Sequence, residues 1–166
     1  MPKIFISYRR EDSESITGRI YDWLEDHFGR DRVFLDVDTI PFGVDFRKHL
    51  EQAVGQCDVL LAVIGEQWLD IRYRDGPKQG RRRLDDPTDF VRIEIQAALT
   101  RNIPVIPVLV GKATMPREED LPDALKALVY RNAAEVRGGR DFRVHVDRLI
   151  DGISRLQGPA PTANRG

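Results

Sequence analysis

The run Val59-Leu60-Leu61-Ala62-Val63-Ile64 is the longest apolar stretch of the chain, and no polar residue interrupts it. A strand with one face in water alternates apolar and polar residues; an unbroken run bounded by Asp58 and Gly65 fits a strand covered on both faces, as at the centre of a parallel sheet. Parallel neighbours cannot be joined by tight hairpins, so each connection must cross over, usually through a helix. The rest of the chain supplies that alternation. Lys3-Ile4-Phe5-Ile6-Ser7-Tyr8 is rich in β-formers and ends in the charged stretch Arg9-Arg10-Glu11-Asp12. Asp12 or Ser13 is placed to cap a helix carrying Ile16, Ile20, Trp23, Leu24 and Phe28 at helical spacing, with Gly29 to stop it.

The pattern then repeats. Arg32-Val33-Phe34-Leu35 predicts a second strand, and residues 36–44 a loop with Pro41 and Gly43. A helix follows with Phe46, Leu50, Ala53 and Val54 on one side. Beyond the central run, residues 71–84 are rich in Arg and Gly and have no periodicity, which predicts a long surface loop. Asp86-Pro87-Thr88-Asp89 predicts a helix start with Asp86 as cap, proline at the first helical position and an acid in the first turn. Residues 103–110 form a fourth strand, in which Pro107 must sit where no ladder bond is needed, at a bulge or frayed edge. A short helix over 122–130, a weak fifth strand over 133–136 and a helix from Asp141 with Phe142, Val146, Leu149, Ile150 and Ile153 inward complete the series. We expect one domain over residues 1–157 and a disordered tail, or a linker to a further domain, over 158–166.

Right-handed crossovers between these strands give a flavodoxin-like α/β fold, a three-layer sandwich whose parallel five-stranded sheet, in order 2-1-3-4-5, carries helices on both faces. In such sheets ligands bind beyond the carboxyl ends of the strands. That rule nominates the loops at 8–12, 36–45 and 65–70 and the helix start at Asp86.

Several uses of this fold are excluded by the residues at those ends. The turn after the first strand has no glycine-rich fingerprint for a dinucleotide pyrophosphate, and Gly111-Lys112-Ala113-Thr114 lacks the upstream glycine of a P-loop. A phospho-receiver would need an acidic pair where Arg9-Arg10 stand and an aspartate where Gly65-Glu66 stand. His27, His49 and His145 are scattered, and Cys57 is the sole cysteine, so no metal site is expected and Cys57 reads as a small buried hydrophobe. With a net charge of −1 no global field recruits nucleic acid or an anionic membrane, and Arg81-Arg82-Arg83 beside Asp85-Asp86 reads as a solvated loop. No run approaches the roughly 20 apolar residues of a membrane span, and a cytoplasmic location is expected.

Phe5-Ile6-Ser7-Tyr8-Arg9-Arg10 resembles the first box of TIR domains, and Phe34-Leu35-Asp36-Val37-Asp38 with Ile40-Pro41-Phe42-Gly43 resembles their second, the BB loop. The stretches at 57–64, 90–99 and 103–108 are similar to further TIR segments and fall in family order, so that the likeness covers roughly residues 3–153. Many family members hydrolyse or cyclise NAD⁺ and others act as adaptors. The resemblance implies that NAD⁺ is substrate, with no separate cofactor, and carries the glutamate of the enzymatic members onto Glu94. It places Tyr8, Arg9, Arg10, Asp36, Phe90 and Trp68 in the nucleotide cleft, with phenylalanine at position 90 where tryptophan is frequent. It also implies homotypic association with other TIR domains through Asp38, Ile40, Pro41, Phe42, Gly43 and Val44, activation by a sensor domain beyond the tail, and a setting in bacterial immune or antiviral signalling.

Bland alternatives stand beside each assignment. Glu94 could be a solvated helix acid near Arg92 or Arg101, Phe90 and Trp68 could be core, Arg9 and Arg10 could pair with Glu11, Asp12 or Asp36, and Phe42 could fold back onto the core. The chemistry makes a single acid reasonable. Nicotinamide is already a cationic leaving group and needs no general acid, so one carboxylate that steadies the oxocarbenium-like ribose can suffice. A non-catalytic TIR interaction module and a glycosyl-transfer relative acting on other nucleosides or nucleotides remain as competing readings.

Overall fold

The computed structural model describes residues 1–35 and 40–156. Strands β1 (Ile4–Ser7), β2 (Val33–Phe34), β3 (Val59–Ile64), β4 (Val105–Leu109) and β5 (Ala134–Glu135) form one sheet in the order β2-β1-β3-β4-β5. Every pairing is parallel. Among the described residues the α-helices are α1 (Arg10–Phe28), α2 (Phe46–Gly55), α3 (Phe90–Thr100) and α4 (Phe142–Leu156). The expected topology is therefore observed, and the proposed tail over 158–166 lies outside the described residues.

The core is two layers separated by the sheet, and strand parity assigns each side chain to one of them. Val59, Leu61 and Val63 of β3 join Ile4 and Ile6 of β1 against Ile20, Leu24 and Phe28 of α1 and Val146, Leu149 and Ile153 of α4. Leu60, Ala62 and Ile64 join Phe5 against Val91, Ile95 and Ala98 of α3. Phe5 thus points toward α3, and the same two-residue period carries Ser7 and then Arg9 out along the α3 side at the carboxyl end of β1.

Pro107 is tolerated for a reason the register supplies. Pro104 O accepts from Leu60 N and Val110 N donates to Ile64 O, so even-numbered residues of β4 face β3 and Pro107 faces β5. Pairing with β5 begins only at Val108 with Ala134, and the missing amide hydrogen falls before the ladder starts. The short helix near 122–130 is a 3₁₀ helix, Asp123–Tyr130, with Leu125 and Leu128 buried.

Two helix starts differ from expectation. α1 begins at Arg10 with Arg9 as N-cap and no side-chain cap, and Ser13 has non-helical dihedrals inside it. Asp12 does not cap because its carboxylate accepts from the backbone amides of Gly65 and Gln67, both at 2.8 Å. α3 begins one turn later than Asp86-Pro87 suggests: Asp89 is the N-cap and accepts from Arg92 N at 3.1 Å. Asp86 instead closes a local turn onto Thr88 N at 3.0 Å and is drawn away by other partners described below.

Candidate active site

A cleft of about 320 Å³ opens beside the carboxyl end of β1, between the segment that follows it and the first turns of α3. Tyr8, Arg9, Arg10 and Glu11 form one wall, and Thr88, Asp89, Phe90, Val91 and Glu94 form another. Tyr73 and Arg83 complete it.

Glu94 lies one helical turn from Phe90 on the face of α3 that meets β1. It is 3% exposed, and Ser7 Oγ donates to its Oε1 at 2.8 Å. The solvated alternative for this acid does not hold. Ser7 was not singled out in the sequence, yet it follows from parity: two residues past Phe5 a side chain must point at α3 again. Phe90 is not core either. It is 42% exposed at the rim, with its ring tilted against Phe46 at a centroid distance of 5.1 Å.

Arg9 extends the same parity by one step and meets Asp89. Its two terminal nitrogens donate to the two carboxylate oxygens at 3.0 and 2.8 Å in a bidentate pair, and both side chains are buried. Among the described residues its partner is thus Asp89 rather than Glu11 or Asp12. Asp89 has two tasks at once, capping α3 and holding Arg9, so the first turn of α3 is locked to the end of β1. Arg9 thus lines the cleft with its charge already balanced by Asp89. Arg10 is exposed and borders this cleft.

Trp68 does not line the cleft. It is wholly buried in the core layer under α3 and cannot wall the cleft, because the chain turns inward after Gly65 and Trp68 N donates to Gly65 O at 3.3 Å. Of the BB-loop residues, Phe42, Pro41, Gly43 and Val44 are exposed and Ile40 is half-buried. Phe42 does not fold back onto the core. Asp36 and Asp38 lie outside the described residues.

The stretch 71–84, expected to be an irregular loop, folds as an antiparallel excursion. Tyr73 N donates to Arg81 O, Gly80 N to Tyr73 O and Arg83 N to Ile71 O, with a bridge between Arg72 and Arg82. Buried Asp86 anchors it, accepting from Tyr73 Oη at 2.6 Å, Lys78 Nζ at 2.7 Å and Thr88 Oγ1 at 2.8 Å. Burial alone would push the Asp86 carboxyl up, but the hydrogen bonds from Lys78, Tyr73 and Thr88 outweigh it and hold it well below the ordinary carboxylate range. Burial and the same carboxylate push the Tyr73 phenol up to about 12. The sequence signal for this wall was weak: Tyr73 is the sole aromatic in a polar stretch, and nothing local shows which way it points.

Residues 4–150 match the TIR domain family. The chain belongs to that family. Among solved structures, the TIR domains of the activated Roq1 resistosome, which recognises the pathogen effector XopQ, align with a TM-score of 0.63 at 13% identity, over 92% of this chain and 99% of that one. A TIR-STING receptor from C. gigas aligns with a TM-score of 0.58 at 20% identity, over 93% of this chain and 40% of that one. A prokaryotic SEFIR domain aligns at 0.53 and 20% identity, over 100% and 98%. At these identities the likeness speaks to the fold of the TIR domain. No curated protein matches the chain. Among the described residues no helix is long and apolar enough to cross a membrane, and no His, Cys, Asp and Glu group is arranged to hold a metal.

Proposed function

We propose that this TIR domain is an NAD⁺ glycohydrolase or cyclase that breaks the bond between nicotinamide nitrogen and ribose C1′. The observation that carries the reading is Glu94: a carboxylate withdrawn from water, lining a cleft, with one oxygen engaged by the Ser7 hydroxyl. As the C1′–N bond breaks, the electron pair leaves with nicotinamide, which becomes neutral, and positive charge develops on the ribose. A fixed anion beside that centre stabilises the transition state more than the ground state. Ser7 keeps the carboxylate from rotating, and Phe90 offers an apolar rim surface for a planar base. Water then gives linear ADP-ribose, whereas attack by an adenine nitrogen gives a cyclic isomer.

The cleft lies at the small end of the roughly 300–1,000 Å³ range of ligand sites, so a whole dinucleotide would extend past its mouth. Self-association through the BB loop, where Phe42 and Val44 stand in solvent, would add a second wall. This fits an activity switched on by assembly in cytoplasmic immune signalling, driven by a sensor domain outside this sequence.

Nicotinamide release by concentrated protein is the test. Glu94→Ala should lower it by roughly 10²–10³-fold while the fold persists. Unchanged release in that variant, or none from enforced oligomers of the unaltered protein, removes the hydrolase. Full exposure of Phe42 supports a second reading, a TIR docking module without chemistry, in which Phe42→Ser abolishes association and Glu94→Ala changes nothing.

A further inference from the structure

With the Arg9 guanidinium held by Asp89, the α3-side cleft draws another from the opposite wall. Arg83 stands at the foot of the 71–84 excursion, and its Nη1 donates to Glu11 Oε1 at 3.2 Å across the mouth. This pair is partly in water, with the Arg83 side chain 25% and the Glu11 side chain 39% exposed. The Arg83 Nε, in contrast, is buried with no hydrogen-bond partner among the described residues. The guanidinium carbon lies 5.6 Å from the centre of the Tyr73 ring.

These facts distinguish Arg83 from the neighbouring arginines. Arg82 is paired to Asp85 through two bonds, and Arg81 donates to Asp85 O. Both satisfy the turn of the excursion itself. Arg83 makes a single contact to a carboxylate on a different segment, and a partly exposed pair of that kind is worth no more than about 1 kcal/mol. A guanidinium binds a phosphate through a planar two-point fork, which is stronger and more directional. The Asp86 anchor, through Tyr73 and Lys78, keeps the excursion from carrying Arg83 away.

We infer that Arg83 is the diphosphate-binding residue of the Glu94 cleft, and that Glu11 is an internal stand-in anion which a nucleoside diphosphate displaces. The inference rests on reading that cleft as a nucleotide site, but not on its being catalytic. On binding, the Arg83 fork turns from Glu11 to the phosphate oxygens, the Nε gains an acceptor, and Glu11 moves out into solvent.

Calorimetric titration of the full chain with ADP, and with adenosine as the phosphate-free control, tests this directly. Arg83→Gln should weaken ADP by roughly ten- to a hundredfold, the range for a charge-assisted hydrogen bond, and leave adenosine unchanged. Glu11→Gln should tighten ADP, because the competing anion is gone. The opposite signs decide the matter: if both variants weaken ADP and adenosine alike, the pair is only a staple and the inference fails. It fails equally if ADP binds the unaltered protein no better than adenosine does. Arg83-dependent ADP binding with no nicotinamide release from enforced oligomers would retire the hydrolase while keeping the phosphate site. Where NAD⁺ is turned over, Arg83→Gln should raise KM and spare kcat.

Discussion

The carboxyl end of β1 separates a cleft on the α1 side from the smaller one on the α3 side, and the same short segment lines both. The α1-side cleft is about 640 Å³, bordered by residues that include Asp12, Ser13, Gly65, Glu66 and Gly111. Two of its acids, Asp12 and Glu66, serve the backbone. Asp12 binds the amides of Gly65 and Gln67, Glu66 Oε1 accepts from Lys112 N at 2.9 Å, and Arg137 donates to the carbonyls of Gly111 and Ala113. The loops after β3, β4 and β5 are thereby tied to one another and to α1. In the α3-side cleft, charges meet charges, Arg9 with Asp89 and Arg83 with Glu11, while Lys78 meets Asp86 beside the lining residue Tyr73. The larger cavity is bordered by carboxylates engaged with loop amides and the smaller one by paired charges, so volume alone is a poor guide to chemistry.

The sharpest way to break this contrast is to remove Asp89. Asp89→Ala leaves Arg9 buried without its counter-charge and uncaps α3, and should cost about 3–5 kcal/mol of stability in urea denaturation. If the loss is below about 1 kcal/mol, the pair is not holding β1 to α3. On the other side, Asp12→Ala leaves loop amides without an acceptor, a cost of about 1–3 kcal/mol. If the proposed activity holds, nicotinamide release should survive it, since Asp12 lines the other cleft. Gly65→Ala belongs with it: an added Cβ would sit 2.5 Å from both Asp12 carboxylate oxygens, so thermal denaturation should show a loss of similar size.

A pH series sharpens the α3 side further. The Asp86 carboxyl is depressed in the folded chain, so its stabilising effect is complete above the unfolded value near 3.9 and is lost as pH falls below it. Melting temperature should therefore fall more steeply below about pH 4 in the unaltered protein than in Asp86→Asn. Parallel curves would mean that Asp86 does not anchor the excursion. The smallest effect is expected outside both clefts: Phe42→Ser should alter stability by less than about 0.5 kcal/mol, because that ring is in solvent, while weakening self-association in sedimentation.

How much of this was legible beforehand depends on the range of the forces involved. The unbroken run at 59–64 and the helical stripes at 16–28 and 142–153 reflect burial against whole layers. Such patterning is written locally and survives any detail of packing. The strand order is that of the flavodoxin-like fold implied by the strand–helix alternation, and the place of Glu94 on a helix beside the first strand came with the TIR resemblance. The cap of α3 was misplaced by one turn because Asp86 and Asp89 are both good caps. The competition was settled by groups distant in sequence, Lys78 and Tyr73 taking the first and Arg9 the second.

The sequence by itself determined a parallel five-stranded α/β sheet and the face of each strand, because a two-residue period and continuous apolarity leave few other ways to exclude water. Only the tertiary structure decided which charge meets which. Ser7 reaches Glu94 across 87 positions and Arg9 reaches Asp89 across 80, and pairing over such separations depends on where crossovers return the chain rather than on any local preference. Trp68 shows the same limit from the other side: its indole could wall a cleft or fill a core, and the turn after Gly65 sent it inward.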